Sequence, residues 1–147
     1  MTIESQTLSY TAGEDELKGY MAYDDKSGSP RPGVIVVHEW WGLDDYIRTR
    51  VDKLAELGYA ALAIDMYGNG ATADSPDEAG AMMNAVLGNM KIGTSRLRAA
   101  HEVLCAQPMV DEKRTAGIGY CFGGAMVLHM ARIGMPLKAV VSFHGAL

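Results

Sequence analysis

The sequence has 147 residues, of which 48% are hydrophobic and 21% are charged, and its formal net charge is −5. This predicts one domain over residues 1–147, with no basic surface for nucleic acid or an anionic membrane and no apolar run near the ~20 residues of a membrane span. The amino terminus, Met1-Thr2-Ile3-Glu4, lacks a signal-peptide pattern, and both cysteines are expected to be reduced, which predicts a cytoplasmic protein.

The first half of the chain predicts two short strands, a loop and a strand–helix–strand unit. Residues 7–10 and 17–23 predict a hairpin, and residues 26–33 a loop rich in Ser, Pro and Gly. The β-branched run at residues 34–37 predicts a central parallel strand. Asp44 or Asp45 is expected to cap a helix that ends at Gly58, and residues 59–64 predict the next buried strand.

The second half continues the alternation of helices and strands. Ser75 is expected to cap a helix that Gly88 and Gly93 break or end, and a further helix follows over residues 94–106. After a charged turn at residues 111–114, we predict a strand at 114–120, a helix at 122–133 and a strand at 137–143. This order predicts an α/β fold with a mostly parallel sheet and helices on both faces.

A glycine-rich segment connects the predicted strand at 114–120 to its helix. Gly119, Cys121 and Gly123 form the pattern G-x-C-x-G, which matches the nucleophile elbow of α/β-hydrolases with a thiol in place of the hydroxyl. The elbow needs small residues because the nucleophile has a strained backbone and a Cβ two residues away would clash. The alternative is a buried structural cysteine, but the flanking strand and helix favour a nucleophile whose thiolate is stabilised at a helix N-terminus.

Polar residues follow four of the predicted strands, at the edge where such sheets bind ligands. They are His38-Glu39, Asp65, Cys121 and His144. A carboxylate at Glu39, before two tryptophans, is costly to bury without a partner or a function. We expect Glu39 to accept the Cys121 proton; the alternative is a structural carboxylate bonded to loop amides.

The remaining residues of the predicted site surround this pair. The backbone N–H groups of Trp40 and Phe122 are the expected donors of an oxyanion hole, and Trp41, His38 and His144 are expected to line the substrate pocket. No cofactor is implied.

Other polar residues are interpreted as structural. His101 and Cys105 have the i, i+4 spacing of a metal pair, but two ligands on an apolar face favour core packing, so no metal is predicted. Asp65 is expected to cap a loop, and His129 to be structural.

Three stretches, residues 36–42, 58–67 and 119–124, together resemble the dienelactone hydrolase family of α/β-hydrolases. The resemblance runs over nearly all of the chain and implies an esterase that opens lactones through a Cys-His-Asp triad. It gives Cys121 the nucleophile position and Glu39 that of the glutamate that helps to ionise the thiol. Trp40 and Phe122 fall where the family's oxyanion amides lie.

The sequence departs from the family pattern in two ways. The family's arginine for the substrate carboxylate falls near Ala81 or Met82, so Arg96 or Arg98 would have to replace it. Family members also continue well beyond the last residue here, and the triad Asp and His lie in that part. We therefore expect an N-terminal portion of a longer enzyme, whose strand at 137–143 has a bare apolar edge and self-associates through it.

The sequence thus predicts a cysteine-dependent hydrolase of small carboxylic esters or lactones. Two alternatives stay open: a module that binds a small ligand without chemistry, and a thioesterase or peptidase of the same fold.

Overall fold

A six-stranded sheet runs through the protein in a computed structural model that describes residues 2–26 and 28–145. Met1, Ser27, Ala146 and Leu147 lie outside the described residues. The strands are β1 (Ile3–Ala12), β2 (Asp15–Asp24), β3 (Arg31–Val37), β4 (Ala60–Ile64), β5 (Val110–Tyr120) and β6 (Ala139–Phe143). Their order across the sheet is β1-β2-β4-β3-β5-β6.

The four strands at one side of the sheet are parallel, as predicted. β3 pairs with β4 and β5, and β5 pairs with β6, whereas β1 and β2 are antiparallel to their neighbours. β4 is buried along its whole length because its short apolar side chains are covered on both faces. The carboxyl ends of β4, β3, β5 and β6 therefore meet at one edge.

Four helices cover the two faces of the sheet. They are α1 (Asp45–Glu56), α2 (Pro76–Leu87), α3 (Met90–Cys105) and α4 (Phe122–Arg132). α1 packs on one face through Ile47, Val51 and Ala55, and α3 and α4 contribute to the core on the other. None of these helices, within the described residues, is long and apolar enough to cross a membrane.

The helix caps follow the sequence, but one predicted break does not. Asp44 accepts a hydrogen bond from the N–H of Ile47, and Ser75 accepts one from the N–H of Glu78. Gly88 ends α2 as predicted, whereas Gly93 is buried inside α3. The prediction of a break at Gly93 is wrong because the missing side chain lets neighbouring apolar groups pack within 3.3 Å of its Cβ position.

Pairing extends four strands, β1, β2, β3 and β5, beyond their predicted limits. β1 and β2 pair over ten residues each, joined at a tight turn in which Gly13 has φ of 62°. β3 begins at Arg31, inside the predicted loop, because Arg31 pairs with Val110. The charged residues 111–114, predicted as a turn, lie within β5 at a register shift opposite Pro32 and Gly33.

Candidate active site

Cys121 occupies a strained corner between β5 and α4. Its φ of 56° and ψ of −115° lie in a region that non-glycine residues rarely adopt. A Cβ at Gly119 would lie 2.0 Å from the carbonyl oxygen of Gly123, and one at Gly123 would lie 2.1 Å from that of Val37. The structure thus gives the physical reason for the G-x-C-x-G pattern, since both flanking positions exclude any side chain.

Cys121 and Glu39 leave the sheet side by side. Val37 of β3 pairs with Gly119 of β5, and each site residue follows its strand's paired residue by two positions. The start of α4 lies against the end of β3, because a Cβ at Gly123 would also come within 2.6 Å of the His38 carbonyl oxygen. The backbone therefore brings together the two segments that carry the predicted nucleophile and its predicted carboxylate.

Two backbone amides near Cys121 and Glu39 have no acceptor among the described residues. Phe122 is the first residue of α4, so its N–H has no partner within the helix. The N–H of Trp40 also finds no acceptor in the described part of the chain. These are the two groups that the sequence predicts as oxyanion donors.

The Glu39 side chain is half-buried and interacts electrostatically with Arg50 and Tyr120. Within residues 2–26 and 28–145, its carboxylate makes no hydrogen bond, and none joins it to the Cys121 thiol. The predicted transfer of a proton from Cys121 to Glu39 therefore stays a prediction.

His38 does not line a pocket, and that prediction is wrong. Its side chain is completely buried, with 0% exposure, and both ring nitrogens face backbone groups. Nε2 accepts a hydrogen bond from the N–H of Met66 at 3.1 Å, so Nδ1 carries the proton and donates to the carbonyl oxygen of Glu39 at 2.6 Å. Burial lowers the pKa of His38, which keeps the ring neutral.

Tyr67 belongs to the site but was not selected from the sequence. Its hydroxyl donates to the Trp40 carbonyl oxygen at 2.7 Å, and its ring stacks on Phe122 with centroids 5.8 Å apart. Burial raises the pKa of Tyr67, and the electrostatic interaction with nearby Cys121 adds to the rise. The sequence signal that would have identified Tyr67 is an aromatic residue three positions beyond the end of a central strand.

The other predicted pocket residues lie around the same edge. The half-buried rings of Trp40 and Trp41 meet edge to face, with centroids 5.5 Å apart. His144 is exposed and follows Phe143, whose carbonyl oxygen accepts the N–H of Cys121 at 2.9 Å. A contact of Trp41 or His144 with substrate remains a prediction.

The residues interpreted as structural are bonded within the fold. The buried carboxylate of Asp65 accepts hydrogen bonds from four backbone amides, those of Lys18, Tyr67, Gly68 and Gly70. His101 is buried beside Thr115, with Nε2 3.2 Å from the hydroxyl oxygen. Cys105 and Cys121 are both free thiols.

Of the two arginines considered for the substrate carboxylate, Arg96 lines a cavity together with Tyr67 and Met82. Arg96 donates to the carbonyl oxygen of Met66 at 2.6 Å and forms an ion pair with Asp15 at 3.2 Å. Arg98 is exposed on α3.

Comparison with known proteins agrees with this geometry. The model of the dienelactone hydrolase family matches residues 17–147. The chain belongs to this family. It is 32% identical over 145 residues to protein usf of Aquifex pyrophilus, covering 95% of this chain and 61% of the relative. It is 31% identical over 120 residues to the carboxymethylenebutenolidase of Pseudomonas putida, covering 76% of this chain and 50% of that enzyme.

Solved structures of the family have the same fold. A promiscuous phosphotriesterase from metagenomic libraries, described as dienelactone hydrolase-like, superposes with a TM-score of 0.95 at 39% identity. The match covers 100% of this chain and 61% of that one. The protein therefore has the α/β-hydrolase fold of the dienelactone hydrolases and spans 50–61% of the length of these relatives.

Proposed function

We propose that this chain carries the nucleophile and the oxyanion hole of a cysteine-dependent hydrolase of carboxylic esters and lactones. The observation that supports this most is the strained backbone of Cys121, with φ of 56°, beside two amides that have no acceptor in the described part of the chain. A relative that is 31% identical is named carboxymethylenebutenolidase, which is a lactone-opening enzyme by that name. Since a catalytic thiolate must stay reduced, a reducing compartment such as the cytoplasm suits this function.

The first chemical step forms a thioester. The Cys121 proton passes to Glu39, and the thiolate attacks the carbonyl carbon of the substrate to form a C–S bond. The π electron pair moves to the carbonyl oxygen, which the N–H groups of Trp40 and Phe122 stabilise. When the tetrahedral intermediate collapses, the carbonyl re-forms, the C–O bond breaks, and its electron pair leaves with the alcohol oxygen, which takes the proton held by Glu39.

The second step, hydrolysis of the thioester by water, needs a base. Three of the four histidines are held elsewhere: His38 is bonded to backbone on both sides, His101 faces Thr115, and His129 faces Thr94. No imidazole hydrogen-bonds to Cys121 within the described residues, and the family resemblance assigns the base to a later segment. We therefore expect the 147-residue chain to acylate readily and to deacylate slowly.

The expected substrates are neutral. The family position for a carboxylate-binding arginine falls at Ala81 or Met82 in α2. The guanidinium of Arg96 already donates to the carbonyl oxygen of Met66 and forms an ion pair with Asp15. A neutral ester or lactone needs no such cation. Trp41 and His144 are the proposed pocket residues that would contact it.

The test is a burst of p-nitrophenol from p-nitrophenyl acetate. The wild type should release about one equivalent rapidly and then turn over slowly, because one nucleophile is acylated per chain. Cys121→Ala should abolish the burst, and Cys105→Ala, which removes the other thiol, should keep it. A burst that survives in Cys121→Ala would disprove the proposal.

A second candidate substrate class is the neutral phosphotriester. The chain is 39% identical over its whole length to a protein described as a promiscuous phosphotriesterase, against 31–32% for the relatives above. In this reaction the Cys121 thiolate would attack phosphorus, and the N–H groups of Trp40 and Phe122 would donate hydrogen bonds to the phosphoryl oxygen. Release of p-nitrophenol from a dialkyl p-nitrophenyl phosphate by the wild type, absent in Cys121→Ala, would support this class, and no release would exclude it.

A further inference from the structure

The backbone around Trp40 is held by two side chains, those of the buried His38 and the half-buried Tyr67. His38 donates to the carbonyl oxygen of Glu39, which precedes the Trp40 amide, and Tyr67 donates to the carbonyl oxygen of Trp40 itself. The two bonds measure 2.6 Å and 2.7 Å. Each of the two peptide groups that flank the Trp40 Cα therefore has its carbonyl oxygen held by a side-chain donor.

The first of these bonds fixes the direction of the Trp40 N–H. A trans peptide is planar, and its C=O and N–H groups point in opposite directions. The carbonyl of Glu39 and the N–H of Trp40 belong to one such peptide, and the described residues contain no cis peptide. A donor that holds the Glu39 oxygen toward the interior consequently turns the Trp40 N–H away from it.

The His38 ring is in turn held by the loop that follows β4. A neutral His38 donates from Nδ1 only in the tautomer whose Nε2 accepts, and Nε2 accepts the N–H of Met66 at 3.1 Å. The ring is completely buried and packs beside Tyr67, with centroids 4.9 Å apart. The loop after β4 thus selects the tautomer of His38, and His38 orients the loop after β3.

We propose that His38 is a positioning residue for the oxyanion hole, acting through the Glu39–Trp40 peptide, with Tyr67 holding the next peptide in the same way. This inference rests on the proposed function, because it gives the Trp40 N–H a role only if an oxyanion forms there. The turn's own bond, from the N–H of Gly42 to the Glu39 oxygen at 3.2 Å, is a second restraint. We therefore expect loss of the His38 bond to weaken the hole without abolishing it.

Two substitutions separate the two bonds of His38. An asparagine places an amide donor near the position of Nδ1, whereas a glutamine places its amide near Nε2 and leaves the Glu39 oxygen without its side-chain donor. Tyr67→Phe removes only the hydroxyl that bonds to the Trp40 oxygen and keeps the ring. His101→Gln is the matched control, since it replaces another buried histidine that lies outside the site.

The readout is the ratio of two rates at Cys121: acylation by p-nitrophenyl acetate, which forms an oxyanion, and alkylation by iodoacetamide, which does not. We expect His38→Gln and Tyr67→Phe each to lower this ratio about tenfold or more, as for other residues that orient a catalytic group. His38→Asn should restore part of the loss, and His101→Gln should leave the ratio unchanged. A ratio in His38→Gln equal to the wild-type ratio would overturn the inference.

Crystal structures of the wild type and of His38→Gln provide a readout that does not depend on activity. We expect the Glu39–Trp40 peptide to rotate in the variant. If the peptide keeps its orientation, the inference is wrong. If instead the wild type shows no acylation that depends on Cys121, the proposed function fails, and the rotation alone still decides whether His38 orients this peptide.

Discussion

Gly119→Ala should damage the nucleophile corner more than any other single methyl group in β5. The added Cβ would lie 2.0 Å from the Gly123 carbonyl oxygen and 2.3 Å from its carbon, both backbone atoms. Ordinary van der Waals contact begins at 3.4 Å, about 1.4 Å more than the closest of these distances, so α4 must move away from β5. Overpacking against backbone of this kind costs about 3 kcal/mol or more.

Gly117→Ala is the matched control, because it adds the same methyl group two residues earlier in β5. Its Cβ would meet Cγ1 of Val127 at 3.4 Å, an ordinary contact. By circular dichroism we expect the midpoint of thermal unfolding to fall by roughly 10 °C in Gly119→Ala and by only about 3 °C or less in Gly117→Ala. Iodoacetamide labelling of Cys121 should also slow only in Gly119→Ala. Equal midpoints in the two variants would refute the steric explanation of the elbow.

Three further predictions concern stability and assembly. Ser75→Ala removes the acceptor of the Glu78 N–H and should lower the free energy of unfolding by about 1 kcal/mol in urea titrations, so an unchanged urea midpoint would count against this cap. Burial lowers the pKa of His38, so its neutral form stabilises the fold above the unfolded pKa of about 6.5. That stability is lost as the pH falls toward the folded pKa, by up to about 1.4 kcal/mol per pH unit. A free energy of unfolding in urea that is as large at pH 5.5 as at pH 7.5 would contradict this. Val141 and Phe143 are 45% and 44% exposed on β6, whose outer edge has no strand partner in the described part of the chain. We expect self-association in sedimentation at micromolar concentration and its loss in Val141→Lys, whereas a monomeric wild type would contradict it.

Local patterns in the sequence were sufficient to predict the secondary-structure elements and the position of the candidate nucleophile. The β-branched run of β3, the caps at Asp44 and Ser75, and Gly119 beside Cys121 each have a short-range physical cause that can be read without coordinates. Strand limits were less predictable. Arg31 belongs to β3 only because β5 pairs with it, and that contact is distant in sequence.

The errors at the site have the same origin. A histidine at the end of a central strand has the same sequence signature whether it faces a pocket or the interior. The partner that decides the question for His38 is the backbone N–H of Met66, in the loop that follows β4. Tyr67 was missed for the corresponding reason, since its role depends on the Trp40 carbonyl that the fold brings within 2.7 Å.

Peptide mapping by mass spectrometry after brief exposure to p-nitrophenyl acetate tests the nucleophile most directly. We predict an acetyl group on the peptide that contains Cys121, in close to one copy per chain, and none on the peptide that contains Cys105. Acetylation spread over lysines and both cysteines, with no preference for Cys121, would contradict the role of the elbow as an acyl acceptor.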